Sequence, residues 1–131
     1  VNGLFVYGTL RFPAVLEALL ERVPPMEPAR APGWRARALP GAVYPGLIPD
    51  PGATTDGRLI LGLTPAEISL LDEYEGDLYE PRVIALDGGR TGRAYLWKGP
   101  VEERDWDPEL FVRRHLTAYV QRCRAWRESR G

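Results

Sequence analysis

The 131-residue sequence predicts an α+β domain: a small mixed sheet, mostly antiparallel and barrel-like, with a few flanking helices. Two observations lead there. Hydrophobic periodicity gives the order strand, helix, several strands, helix, strands, helix, without the regular alternation of a parallel βαβ sheet. Two late strands are joined by the turn-rich "DGGRTG" (residues 87–92), the mark of a hairpin. The length suits one domain over residues 1–131 with a continuous core.

Taken in order, residues 3–7 form an almost continuously apolar run, expected as a strand buried on both faces. A helix is expected from Pro13 to Arg22, with proline at its first position and Val15, Leu16, Leu19, Leu20 and Val23 at helical spacing. Residues 24–57 are rich in Pro and Gly. They read as short strands at Trp34–Leu39 and Ala42–Tyr44, followed by a loop, "PGLIPDPGATTDG", and a strand at Arg58–Leu63.

The clearest helix start is "TPAEISLLDEYEGD". Thr64 is the N-cap, Pro65 takes the first turn and Glu67 completes a capping box, so the helix runs over Pro65–Glu75. Gly76 offers a left-handed stop. Strands follow at Arg82–Leu86 and Arg93–Trp97. Asp107-Pro108 then starts a last helix to about Trp126.

Composition removes several function classes. Seventeen basic and eighteen acidic residues nearly cancel, so no global basic field recruits nucleic acid. The Arg-rich C-terminal segment reads as a solvated helix face. No apolar run approaches the ~20 residues that span a bilayer, and the start lacks a signal-peptide layout, so no membrane partner is expected. Cys123 is the single cysteine, which fits a reducing cytoplasm. One Cys and His115 as the single His leave little for a zinc site, and no cofactor is expected. In a helical apolar stripe, His115 reads as packed or surface-lying.

One residue breaks the pattern of the middle helix. On a wheel of ~100° per residue, Ile68, Leu71 and Glu75 follow the i, i+3, i+7 rule, which aims a carboxylate inward. Desolvation, the negative end of the helix and the nearby Asp72, Asp77 and Glu80 would then raise its pKa toward neutrality. Such an acid can take and return a proton. The alternative is a frayed helix end with Glu75 in solvent.

The other notable feature is the turn in "FVYGTLR". A strand ending in Tyr7-Gly8-Thr9-Leu10 can expose successive N–H groups as an anion nest, or can simply reverse the chain. No glycine-rich nucleotide motif accompanies it. Together with "LLDEYEGDLYEPRVI" and the intervening "VYPGL", "GRLILGL" and "AYLW", the chain resembles the gamma-glutamylcyclotransferase-like superfamily, in order and over most of its length.

The resemblance implies a compact barrel in which the turn and the acid share one cavity. It implies that Tyr7, Gly8, Thr9 and Leu10 bind substrate through the main chain, that Glu75 is the catalytic acid/base, and that Tyr79 and Arg82 support the site. The implied reaction takes a small γ-glutamyl compound, whose α-amine attacks its own γ-carbonyl to release 5-oxoproline and an amine. The alternatives are a non-catalytic metabolite-binding module and a hydrolase reusing the same acid. After the turn the chain continues "RFPAVLEALL", where many members of the superfamily are more polar, which leaves the amine portion open.

Overall fold

A computed structural model describes residues 3–130. Strand β1 (Leu4–Val6) is wholly buried, with Leu4 and Val6 in one apolar cluster and Phe5 and Tyr7 in another. That two-sided burial is why the run is apolar throughout. Helix α1 (Pro13–Leu20) ends two residues before the expected Arg22, because Glu21 turns left-handed (φ 63°).

The Pro/Gly-rich region is the largest departure from the sequence reading. Instead of a loop it forms two long strands, β2 (Met26–Ala38) and β3 (Pro45–Ile60), paired antiparallel. The tetrapeptide at residues 50–53 does bulge out, lying unpaired opposite Gly33 (φ 86°), while Pro28, Pro32 and Pro49 keep paired positions in the ladder. Pro28 and Pro32 are tolerated because β2 is outermost in the sheet. Residues Ala42–Tyr44 are part of the connecting turn rather than a strand, and β3 stops at Ile60, short of Leu63.

Helix α2 (Pro65–Glu75) has the expected bounds and the complete capping box between Thr64 and Glu67. Gly76 takes positive φ (80°) but an extended ψ, so it stops the helix without a left-handed cap. Strands β4 (Tyr79–Ala85) and β5 (Thr91–Trp97) make the expected hairpin. The last helix is split at His115 into α3 (Pro108–Arg114) and α4 (Leu116–Ser129). His115 packs its ring 6.3 Å from that of Phe111.

The sheet order is β2-β3-β1-β5-β4. β3 is antiparallel to β1 at Arg58–Ile60, yet its other end bridges β5 in parallel at Leu47–Leu96, although β5 is itself parallel to β1. β3 therefore wraps around beyond the short β1, and the sheet curls as the sequence implied. The helices bury Leu16, Leu19, Leu71 and Phe111 against one side, and Phe5, Leu47 and Leu59 fill the other. No described helix is long and apolar enough to cross a membrane.

Candidate active site

β1 gives out where β3 and β5 close over it, and the chain must leave the sheet there. It does so through Tyr7 and Gly8 into a single turn of 3-10 helix at Thr9–Arg11. Gly8 has φ −120°, so the turn needs glycine for closeness rather than for positive φ: a Cβ there would lie 2.8 Å from the Pro45 ring. The Gly8 and Thr9 carbonyls accept from Arg11 and Phe12, whereas the N–H groups of Thr9 and Leu10 find no acceptor among the described residues.

This turn forms one wall of a cavity of about 330 Å³. That is the size of a site for a small molecule. Glu75 lines the same cavity, as do Tyr7, Gly8, Thr9, Leu10 and Tyr79. Helix α2 stays regular to its end, with the Gly76 N–H bonded to the Asp72 carbonyl, so the wheel's inward orientation holds and the frayed alternative does not.

Burial raises the Glu75 pKa to about 8, with the Asp72 charge adding to it. Taken whole, the Glu75 residue is half-buried. It has no hydrogen-bond or ion-pair partner among the described residues, so nothing stabilises its charged form. Asp77 and Glu80, expected to help, do not act on it; Asp77 is exposed and Glu80 is paired with Arg82. Asp72 is held in place by Arg93 (2.7 Å) and the Tyr95 hydroxyl (2.6 Å).

Arg82 is not part of this site. Its side chain is 63% exposed and donates to Glu80 on the outer face of β4. The reason is strand geometry, since residues 79 and 82 are an odd number apart and face opposite ways. Tyr79 does face the cavity, and its hydroxyl donates to the Pro45 carbonyl at 2.7 Å, tying β4 to the start of β3.

The sequence reading missed most of the cavity wall. All six tyrosines of the chain line it. The Tyr7 hydroxyl donates to the Tyr95 carbonyl (2.6 Å), and the Thr9 and Tyr74 hydroxyls both donate to that of Tyr119 (3.3 and 2.5 Å). Burial raises every phenol in this wall that shifts, Tyr119 to about 12, so these groups stay neutral hydrogen-bonding partners. A signal existed for α4. Tyr119, Arg122, Cys123 and Trp126 recur at i, i+3, i+4, i+7, but that stripe reads equally as core.

A curled, mostly antiparallel sheet flanked by helices in this order is the fold of the γ-glutamyl cyclotransferase-like class. The family model described as "Gamma-glutamyl cyclotransferase, AIG2-like" matches residues 4–111, and the chain belongs to this family. Among its relatives, AIG2-like protein C of Arabidopsis thaliana is 31% identical, covering 97% of this chain and 78% of the relative. AIG2-like protein B of the same plant is 30% identical, covering 92% and 75%. A solution structure from Arabidopsis thaliana superposes with a TM-score of 0.71 at 26% identity, over 98% of this chain and 92% of that one. A structure named gamma-glutamyl cyclotransferase shares the fold, with a TM-score of 0.55 at 18% identity over 95% and 86% of the two chains.

Proposed function

We propose that the protein is a γ-glutamyl cyclotransferase in which Glu75 is the acid/base and the Tyr7–Leu10 turn holds the γ-glutamyl group. The observation that carries this reading is the convergence of an unpartnered carboxyl, its pKa raised to about 8, with uncommitted N–H groups in one cavity.

The chemistry asks little else of the protein. The substrate's α-amine is already tethered to its γ-carbonyl, so folding the chain into a ring geometry supplies most of the entropic advantage. Glu75 as carboxylate takes a proton from the α-ammonium, whose ordinary pKa of ~8 is close to its own. The amine nitrogen bonds to the γ-carbon, and turn N–H groups stabilise the oxyanion that forms. Glu75 gives that proton to the departing nitrogen as the original amide bond breaks, then takes the second proton from the ring nitrogen and passes it to the released amine, leaving 5-oxoproline and the amine as its ammonium. Tyr79 and the other phenols keep the walls in place. The lone buried thiol, Cys123, fits action in a reducing compartment such as the cytoplasm.

The test is turnover of a panel of γ-glutamyl compounds. Release of 5-oxoproline supports the reading. Release of glutamate would make the protein a hydrolase, and binding without product would make it a metabolite-binding module.

A further inference from the structure

Among the described residues, Arg122 is the single basic side chain lining the cavity, and Glu75 the single acidic one. Arg122 is exposed, so it stands at the cavity's opening. It forms no salt bridge among the described residues, unlike Arg127 further along α4 and Arg130 just beyond it, which pair with Glu21 and Glu73, and Arg93, which pairs with Asp72. It is nonetheless held in position. Its guanidinium lies 5.3 Å from the centre of the Tyr119 ring, and the Tyr119 hydroxyl is bonded to Thr9 of the turn. A fixed, unpaired cation at the mouth of a cavity is arranged for an anion supplied by the ligand.

Which part of the ligand supplies it follows from the cavity's layout, given the reaction proposed above. The α-amine and α-carboxylate of a γ-glutamyl group share one carbon, so an amine beside Glu75 carries that carboxylate into the interior. The departing amine must point toward the opening. We propose that Arg122 reads a carboxylate on the amine portion, so that the substrates are γ-glutamyl conjugates of amino acids or other amino carboxylates. Conjugates of neutral amines bind less well, and those whose tail carries a second ammonium are repelled.

Three γ-glutamyl conjugates of nearly equal size test this: those of β-alanine, propylamine and ethylenediamine, with anionic, neutral and cationic tails. For the wild type, kcat/KM should fall in that order, by about tenfold between the first two, the size of one partly screened charge-assisted contact. The preference should shrink in high salt. Arg122→Gln should bring the three to within about threefold, and Arg122→Glu should invert the order. A wild type that does not discriminate, or an Arg122→Gln that lowers all three equally, would overturn the inference. Should none of the three yield 5-oxoproline, the proposed reaction falls separately. Calorimetric binding of the same compounds to wild type and Arg122→Gln then decides for Arg122: ordered affinities that converge in the variant support it, and equal affinities in the wild type refute it.

Discussion

Glu75 has its unusual pKa because burial removes water from the carboxylate and no cation replaces it, while Asp72 adds a like charge. The working form at the start of the reaction is the carboxylate. The logarithm of kcat/KM should therefore rise with pH toward about 8 and fall above it, as the free substrate's α-ammonium loses the proton that Glu75 is to take. Asp72→Asn removes the negative charge that helps to raise the Glu75 pKa, which favours ionised Glu75. The rising limb should accordingly move to lower pH, which a pH–rate profile of the variant measures. An unmoved limb would mean that Asp72 does not act on Glu75. The inward carboxyl was legible from the helical spacing alone. Its partner Asp72 was legible only as a neighbour in sequence, because its anchors Arg93 and Tyr95 come from a distant strand.

The elements differ in how much of their structure is local. Helix α2 was readable to the residue, since its start is written in four consecutive positions and Glu75-Gly76 ends it. The β2–β3 pair was not, because prolines and glycines that look like loop chemistry are accommodated by an outer strand and one bulge, which only the pairing reveals. Two of the glycines in β3, Gly46 and Gly57, are there for closeness. A Cβ on Gly57 would run into the Val6 carbonyl oxygen and lie 2.8 Å from the Phe5 ring, against the strand that leads into the turn. Gly57→Ala should cost about 2 kcal/mol or more, read as a lower denaturation midpoint in urea. A neutral result would show that β1 and β3 can separate without loss. Arg82 illustrates the same limit at the site, since a motif that recurs in sequence says nothing of which face of a strand each member occupies.

Across the whole molecule, the short β1 and the wrapping β3 leave an opening that α2 and α4 close, and six tyrosines from six parts of the chain meet there. No local pattern could have collected them. The site is also a cost to the fold. Glu75 has a native pKa of about 8 against 4.5 ordinarily, so its contribution is fully present below pH ~4.5 and is lost as pH rises through about 8. Glu75→Gln should escape this loss and be more stable than wild type at pH 8, on the order of 2 kcal/mol, with little difference near pH 4. Denaturant titrations at the two pH values measure it, and equal stabilities at pH 8 would argue against a desolvated carboxyl. The same variant gives the most direct test of function. Offered the γ-glutamyl compounds that the wild type converts, Glu75→Gln should bind them and keep the fold, while 5-oxoproline release falls ~100-fold or more. Release at the wild-type rate from the folded variant would contradict the account.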